Sequence, residues 1–238
     1  MPAPPRLTQA FQTPENKRRY VRRLFSTIAD RYDLITVLLS YGQDARWKRR
    51  LVAMAPSGRP MSLDLACGTG DIAFAMHARG ARAIGLDITP RMIEIARAKR
   101  VGDAPSFLVG DMMALPFPDA CFDVVTTGYG IRNVPAIGGA LGEIQRVLRP
   151  GGMLLSLDFN RPDNPLVRGI YLSYLTVVGS TLGFVLHGDP DTYRYIPESI
   201  RRYPGAAAVS DLARAHGFAS CEHTPVLGGF MAFHRAMK

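Results

Sequence analysis

The residues with the clearest chemical meaning are two glycines, Gly68 and Gly70, which follow the apolar run Leu63–Leu65. The run predicts a strand and the residues after Gly70 predict a helix. Glycine lacks a Cβ, so the backbone of such a turn can bend sharply and lie against a ligand. With Ala73, the segment also fits the Gly-x-Gly-x-x-Gly/Ala pattern of nucleotide-binding turns. The pattern leaves NAD(P) and S-adenosylmethionine open as cofactors.

Acidic residues after the next two predicted strands favour S-adenosylmethionine. Asp87 follows the predicted strand Arg82–Leu86, and Asp111 follows Ser106–Val109. A carboxylate at the end of the second strand can accept hydrogen bonds from both ribose hydroxyls. Asp111 can accept from an adenine amino group while the backbone N–H of Met112 donates to the ring. A dinucleotide fold does not require this second acid.

The predicted cofactor contacts gather at the carboxyl ends of predicted strands, where open parallel sheets bind ligands. They are Asp64, Gly68, Thr69, Gly70, Asp87, Ile88, Asp111, Met112 and Gly128. We predict no metal site and no disulfide, because the three cysteines, Cys67, Cys121 and Cys221, are widely spaced and form no Cys-x-x-Cys pair.

Strands and helices alternate along the chain between these residues, which predicts one α/β domain. The predicted sheet has seven mostly parallel strands with helices on both faces, the Rossmann-like arrangement of class I methyltransferases. The predicted elements are Ser62–Ala66, Asp71–Arg79, Arg82–Leu86, Pro90–Arg100, Ser106–Val109, Phe122–Thr127, Ile137–Leu148, Met153–Asp158, a helix near Ala206–His216, and the strands Ala219–Thr224 and Gly229–His234. A chain of 238 residues, 47% of them hydrophobic, can build one such core.

Two segments fall outside this alternation. We expect residues 1–13 to be disordered and residues 14–238 to form the domain, with an N-terminal helical cap at 14–56 and an apolar lid insertion at 160–204. The insertion holds the run Leu166–Leu186, whose only charge is Arg168. The run is nearly long enough to span a bilayer. Glycines and hydroxyl side chains dilute its hydrophobicity, which favours a lid over an apolar substrate.

Positive charge is concentrated in the first 50 residues, which hold 11 Lys and Arg against 4 Asp and Glu, whereas the whole chain has 29 against 20. Arg18, Arg19, Arg22 and Arg23 alternate with apolar residues at the spacing of an amphipathic helix. Such a helix could lie on anionic lipid headgroups, contact nucleic acid, or form a solvated face of a helix that covers the cofactor. No aromatic and basic surface accompanies it, so we predict no nucleic-acid partner.

The N-terminus lacks the apolar run of a secretion signal, which predicts a cytoplasmic protein. With the basic cap and the apolar insertion, the predicted location is cytoplasmic and peripherally membrane-associated.

Several segments outside the glycine turn carry a more restrictive pattern. They are Phe25–Asp33, Leu39–Gly42, Arg46–Lys48, Leu115–Asp119, Gly130–Val134, Tyr193–Ile200 and Gly228–Arg235. Over about residues 17–235 the chain thereby resembles the ubiquinone/menaquinone biosynthesis C-methyltransferases. These enzymes methylate a ring carbon of a polyprenylated quinol precursor. Thr36, Asp44 and Gly128 depart from residues common in that family, an asparagine, a histidine and a serine.

The resemblance implies methyl transfer from S-adenosylmethionine, with S-adenosylhomocysteine as product, to a ring carbon held about 3–3.5 Å from the methyl group. That carbon becomes nucleophilic when an adjacent hydroxyl loses its proton. We expect Arg132 to stabilise the phenolate and orient a water, Asn133 to fix the ring or the water, Tyr32 to hydrogen-bond a ring oxygen, and Asp158 to accept the proton through the water. The alternatives are that Arg132 pairs with an acid, Asn133 caps the next helix, and Tyr32 is a core residue.

The resemblance also implies a lipophilic quinol as substrate, either a benzoquinol or a naphthoquinol. A homodimer, or association with other enzymes of quinone biosynthesis, would be compatible with it. A second interpretation is a methyltransferase of the same fold that acts on another small aromatic molecule. A basic RNA methyltransferase and an NAD(P)-dependent dehydrogenase are the remaining alternatives.

Overall fold

A computed structural model describes residues 6–40 and 42–238. Seven strands form a single sheet in the order β3-β2-β1-β4-β5-β7-β6. Their bounds are β1 (Met61–Leu65), β2 (Arg82–Asp87), β3 (Ser106–Val109), β4 (Phe122–Gly128), β5 (Leu148–Phe159), β6 (Ser220–Val226) and β7 (Met231–Met237). β1 to β5 pair in parallel, and β7 pairs antiparallel with β5 and β6. The predicted sheet is confirmed.

The direction of strand order reverses between β1 and β4, which makes this the place where a doubly wound sheet opens to bind a ligand. β4 shows why the sequence forms a central strand: Val124, Val125, Thr126 and Thr127 are all buried. A strand that is covered on both faces has no solvent side, so it reads as a continuous apolar or small run without alternation.

Ten helices occur within the described residues, and three short 3-10 turns, Ala29–Arg31, Ile131–Asn133 and Leu227–Gly229, supplement them. The helices are α1 (Leu7–Ala10), α2 (Pro14–Ile28), α3 (Tyr32–Leu39), α4 (Asp44–Ala53), α5 (Asp71–Ala78), α6 (Pro90–Ala98), α7 (Ile137–Val147), α8 (Pro165–His187), α9 (Tyr195–Arg202) and α10 (Ala206–Ala215). α7 and α10 pack on one face of the sheet, and α4 and α5 pack on the other.

The N-terminal segment differs from the prediction of disorder over residues 1–13. α1 (Leu7–Ala10) lies inside that segment, and Ala10 is fully buried; residues 1–5 lie outside the described residues. Thr13 then caps α2, because its side-chain oxygen accepts from the backbone N–H of Asn16 while Pro14 occupies the first helical position. The helices α2, α3 and α4 lie within residues 14–56, where the sequence predicted an N-terminal helical segment.

The apolar insertion forms two helices, α8 and α9, above the carboxyl ends of the strands. By length and composition, α8 could cross a membrane. One side of the helix is nevertheless packed against the domain: Tyr171 stacks on Phe230 with ring centroids 4.2 Å apart. A Cβ on Gly179 would lie 3.3 Å from the backbone oxygen of Tyr193. α8 is therefore a wall of the domain on that side.

Candidate active site

A cleft lies at the carboxyl ends of the central strands and holds most of the predicted cofactor residues. Six of the nine line it: Gly68, Asp87, Ile88, Asp111, Met112 and Gly128. The remaining three, Asp64, Thr69 and Gly70, lie in or under the glycine turn. The predicted set therefore combines six residues that line the cleft with three residues that shape the turn.

The glycine turn owes its shape to two backbone conformations that favour glycine, with φ of 53° at Gly68 and 95° at Gly70. A Cβ on Gly70 would lie 2.8 Å from the Phe107 ring, so close packing also excludes a side chain there. A Cβ on Gly68 would lie 3.4 Å from Cε1 of Tyr32. Tyr32 of α3 thus covers the glycine that faces the cleft.

Asp87 joins the end of β2 to the glycine turn. Its Oδ2 accepts from the backbone N–H of Gly68 at 2.9 Å, and its Oδ1 accepts from the backbone N–H of Thr89 at 2.8 Å. The carboxyl group is buried, and burial raises its pKa. Each carboxylate oxygen has a further lone pair, so the pair of oxygens fits two ribose hydroxyls in the cleft.

Asp111 is held on two sides. Its Oδ1 accepts from the backbone N–H of Met113 at 2.9 Å, and its Oδ2 lies 3.0 Å from Nε of Arg18 on α2. Arg18 also lines the cleft. The sequence left three interpretations of the basic helix: a lipid contact, a nucleic-acid contact and a cover over the cofactor. For Arg18 the structure favours the cover, because its side chain lines this cleft.

Asp64 and Thr69 support the turn from outside the cleft. Oγ1 of Thr69 donates to Oδ1 of Asp33 at 2.6 Å and ties the turn to α3. Asp64 is buried under the turn, where Oγ1 of Thr126 donates to its Oδ1 at 2.9 Å. Burial raises the pKa of Asp64 to about 7. Its Oδ2 has no hydrogen-bond partner within the described part of the chain.

A second, larger cavity of about 530 Å³ adjoins the cleft. Its wall is mostly apolar and comes from α2, α3, α4, α8 and the residues around β7, including Leu24, Ile35, Trp47, Ile170, Tyr171 and Phe230. Phe25, Tyr32 and Tyr129 belong to the walls of both cavities. The cleft and the apolar cavity therefore meet at these three aromatic rings.

Arg132 lies in the wall of the apolar cavity, on the turn after β4, and is buried. Its Nη1 is 2.6 Å from Oδ1 of Asp158, its Nε donates to Oγ of Ser199 at 3.2 Å, and its guanidinium carbon lies 4.6 Å from the centre of the Phe159 ring. The alternative that Arg132 pairs with an acid is thus correct. The pairing fixes the guanidinium without removing it from the cavity wall.

Both carboxylate oxygens of Asp158 accept hydrogen bonds from the residues around Arg132. Oδ1 accepts from Arg132 Nη1 and from the backbone N–H of Phe159, and Oδ2 accepts from the backbone N–H of Arg132. Asp158 lines neither cavity. Because Asp158 is paired with Arg132 and contacts neither cavity, this arrangement favours a positioning role for Asp158 and does not support the predicted base.

Asn133 lines the cofactor cleft, and Tyr32 lines both cavities. Nδ2 of Asn133 donates to the carbonyl oxygen of Tyr129 at 2.8 Å, and no described residue bonds its buried Oδ1. Asn133 does not cap α7, whose N-cap residue is Ala136. The side chain of Tyr32 is partly buried between the cavities, and desolvation raises its pKa to about 12. Both residues retain a polar atom for a ligand.

Tyr129 is a site residue that the sequence prediction missed. Its φ of 61° is unusual for a residue with a side chain, and its hydroxyl donates to Oδ1 of Asp44 at 2.7 Å. Lys48 Nζ bridges Asp44 and Asp71 at 2.6 and 2.9 Å. One sequence feature could have indicated Tyr129: it lies between Gly128 and Gly130, and flanking glycines make an unusual backbone conformation more accessible.

Lys17 is a second missed residue. Its Nζ donates to the carbonyl oxygens of Arg132 and Val134 at 3.0 and 2.6 Å, and burial lowers its pKa to about 8. It thereby fastens α2 to the turn that carries Arg132. No group of three His, Cys, Asp or Glu side chains suited to a metal ion occurs within residues 6–40 and 42–238.

Comparisons with known proteins agree with this geometry. The ubiE/COQ5 methyltransferase family model matches residues 12–238. The chain is 43% identical over 216 residues to a demethylmenaquinone methyltransferase of Thermus thermophilus, covering 89% of this chain and 98% of the relative. It is 41% identical over 234 residues to a ubiquinone/menaquinone biosynthesis C-methyltransferase of Methylobacterium nodulans, covering 94% of this chain and 92% of the relative.

Solved structures share the fold at lower identity. A methyltransferase of Thermotoga maritima described as S-adenosylmethionine-dependent superposes with a TM-score of 0.67 at 20% identity, covering 92% of this chain and 99% of that one. The [4+2]-cyclase SpnF superposes with a TM-score of 0.63 at 16% identity, covering 93% and 96%. The predicted fold class, enzyme class and cofactor are confirmed. The chain belongs to the ubiE/COQ5 methyltransferase family and is an S-adenosylmethionine-dependent methyltransferase.

Proposed function

We propose that the protein methylates a ring carbon of a polyprenylated quinol, either demethylmenaquinol or a 2-polyprenyl-6-methoxybenzoquinol. Curated relatives with names of both kinds support this substrate class. The observation that carries the proposal is the meeting of the cofactor cleft with an apolar cavity of about 530 Å³ at Tyr32 and Tyr129. A polar, water-soluble substrate would gain little binding free energy from contact with so apolar a wall.

The residues of the cleft fit S-adenosylmethionine. Asp87 offers two carboxylate oxygens to the ribose, Asp111 offers an acceptor to the adenine amino group, and the unpartnered Oδ1 of Asn133 faces the same cleft. When bound, the cofactor supplies an electrophilic methyl group. Asp64, Thr69 and Gly70 act indirectly in this proposal, since they hold the glycine turn in shape.

Arg132 supplies the charge that the ring chemistry requires. A quinol ring in the apolar cavity becomes nucleophilic at carbon as its hydroxyl loses a proton, and the guanidinium of Arg132 stabilises the phenolate oxygen. Asp158 keeps the guanidinium in place. Tyr32 donates a hydrogen bond to a ring oxygen, and Arg132 and Asn133 orient a water that passes the hydroxyl proton to solvent. The hydrogen on the methylated ring carbon then leaves as a proton, which restores the aromatic ring.

A cytoplasmic location agrees with this fold, and we include peripheral contact with a membrane in the proposal. A polyprenyl chain partitions into the bilayer, so an enzyme that needs only the ring must work at the membrane surface. Assembly with a second copy, or with other enzymes of quinone biosynthesis, stays a prediction. So does the absence of a nucleic-acid partner.

The test is to incubate the purified protein with methyl-labelled S-adenosylmethionine and short-chain analogues of demethylmenaquinol and of the benzoquinol. The proposal predicts a new methyl group on a ring carbon of at least one analogue, located by NMR of the product. Label on oxygen or nitrogen of another aromatic compound, with none on a quinol ring carbon, would favour the alternative of a different small aromatic substrate.

A further inference from the structure

One face of α8 is free of charged side chains over the whole helix, which is about 35 Å long for its 23 residues. Its exposed apolar residues recur at helical spacing and so form a single stripe: Leu166, Val167, Ile170, Tyr174, Val177, Phe184 and Val185. Arg168, the only charge between Pro165 and His187, lies on the partly buried side. Monomeric proteins rarely leave so long an apolar stripe in water.

A second exposed apolar patch lies on α3, where Leu34, Val37 and Leu38 are about half exposed. The two helices are neighbours. Ile35 of α3 packs in the same cluster as Leu182 and Leu186 of α8. The guanidinium of Arg31, just before α3, also donates to the carbonyl oxygen of Leu186. The stripe on α8 and the patch on α3 therefore form one surface, here called the apolar rim.

The apolar rim borders the entrance of the large cavity. Val167, Ile170 and Tyr174 of α8 and Leu227 line the cavity and are also exposed, by 38%, 64%, 40% and 52%. These four side chains reach both the cavity and the surface, which places the mouth of the cavity beside them. The α8 part of the apolar rim therefore forms one edge of the mouth, and Leu227 forms another.

Exposed basic side chains occur on the two helices that flank α3 in the chain. α3 is preceded by α2, on which Arg22 and Arg23 are exposed, and followed by α4, on which Arg46 and Arg49 are exposed. An apolar face flanked by arginines is the composition of a helix that lies in a membrane interface, with its apolar side among the acyl chains and its basic edge at anionic headgroups.

We propose that the apolar rim of α3 and α8 inserts into the interfacial layer of a lipid bilayer, so that the substrate cavity opens directly into the acyl region. This inference rests on the proposed function for the identity of the ligand that passes through the mouth. It assigns the membrane contact to the exposed apolar faces of α3 and α8. The arginines of α2 and α4 supply the electrostatic edge.

Two other occupants of the rim fit the structure less well. A membrane-spanning α8 would have to leave the contacts of its packed side, where Tyr171 stacks on Phe230 and Gly179 lies close to Tyr193. A second copy of the chain docked on the rim would close the mouth, which a long lipophilic tail must use. A bilayer covers the rim and leaves the mouth open to the substrate.

The experiment compares the wild type with Val177→Glu/Phe184→Glu. Both residues are two-thirds exposed and neither lines the cavity, so the folded domain and the site stay intact. Val101→Glu is the matched control, because Val101 is 86% exposed on a loop at the opposite end of the sheet. Co-sedimentation is measured with sucrose-loaded vesicles of phosphatidylcholine containing phosphatidylglycerol, and thermal unfolding checks that all three proteins are folded.

The proposal predicts at least tenfold weaker vesicle binding for the double variant and no change for Val101→Glu. Methylation of a water-soluble short-chain quinol should stay within about twofold of wild type, whereas turnover of a long-chain quinol embedded in vesicles should fall at least tenfold. Arg22→Gln/Arg23→Gln should weaken binding to the anionic vesicles and leave the weaker binding to neutral vesicles unchanged.

Unchanged vesicle binding of Val177→Glu/Phe184→Glu would overturn the proposal. If, in addition, sedimentation velocity showed a dimeric wild type and a monomeric variant, the rim would be a subunit interface instead. Vesicle binding is measured without substrate, so its outcome does not depend on whether the protein methylates quinols. A wild type that binds vesicles and methylates no quinol ring would reject the proposed function alone.

Discussion

Arg18 of α2 and Asp111 after β3 form an ion pair across the cofactor cleft, with 3.0 Å between Nε and Oδ2. The pair connects the N-terminal cap to the residue expected to recognise adenine. Lys17, the preceding residue, fastens the same helix to the turn that carries Arg132. α2 is therefore a structural cover that joins the cofactor side of the site to the substrate side.

Arg18→Gln should weaken S-adenosylhomocysteine binding by about three- to fivefold, since a partly exposed ion pair contributes at most about 1 kcal/mol. The reason is that Arg18 holds the cover closed over the cleft. Isothermal titration calorimetry measures the effect. Arg22→Gln is the control, because Arg22 is exposed and lines neither cavity. Equal affinity of wild type and Arg18→Gln would show that α2 closes the cleft without this pair.

Asp87→Asn should reduce cofactor affinity at least tenfold. The amide replaces one acceptor oxygen with a donor that faces a backbone N–H, and each hydrogen bond to a charged group contributes about 1.5–3 kcal/mol. The same calorimetric titration tests it, with Asp103→Asn as the control because the Asp103 side chain is almost fully exposed. Affinity within twofold of wild type would remove Asp87 from the cofactor site.

Asp158→Ala should destabilise the protein by about 3–5 kcal/mol, because it leaves the buried guanidinium of Arg132 unpaired. The double variant Asp158→Ala/Arg132→Met should recover much of that loss, since the uncompensated charge is gone. Urea unfolding of both single variants and the double variant completes the cycle. Additive effects of the two substitutions would contradict a mutually dependent buried pair.

The buried carboxyl of Asp64 should make stability depend on pH in a defined window. Its pKa is raised from 3.8 to about 7 in the folded protein, so the folded state binds the extra proton between these values. The stabilisation is complete below pH 3.8 and is lost as the pH rises to about 7. Asp64→Asn, which mimics the protonated acid, should therefore gain stability relative to wild type over this range.

The measurement is the free energy of unfolding by urea at pH 4, 5.5 and 7 for the wild type and Asp64→Asn. One pKa unit corresponds to about 1.4 kcal/mol, so the difference between the two proteins should change by ~2–4 kcal/mol from pH 4 to 7. Comparing the two proteins cancels the titration of all other groups. Parallel curves would mean that Asp64 keeps an ordinary pKa.

The cofactor side of the site was predictable from sequence because its residues follow strand ends in a fixed order. Gly68, Asp87 and Asp111 are each local features of one strand and its following turn, and parallel pairing then brings them to one edge. Local patterns carried less information about Thr69 and Gly70, whose partners, Asp33 and Phe107, come from distant segments.

The substrate side depended on contacts between distant segments and was predicted less well. In the sequence, Asp158 is an acid at the end of a predicted strand with no evident partner. The structure shows that the turn after β4 packs against it and that Arg132 forms an ion pair with its carboxylate. The hydrogen bond between Tyr129 and Asp44 spans 85 positions in the chain, so no sequence spacing could indicate it. The short helix α1 formed in a Pro-rich segment for a similar reason, because burial of Ala10 stabilises it.

The central claim is that the methyl donor and the quinol ring meet where the cleft joins the apolar cavity. A crystal structure of the protein with S-adenosylhomocysteine and a short-chain quinol tests it most directly. We expect the ribose on Asp87, the sulfur directed towards the space between Tyr32 and Tyr129, and the ring in the apolar cavity within reach of Arg132. A ring bound outside that cavity, or a cofactor that does not contact Asp87 and Asp111, would contradict the account.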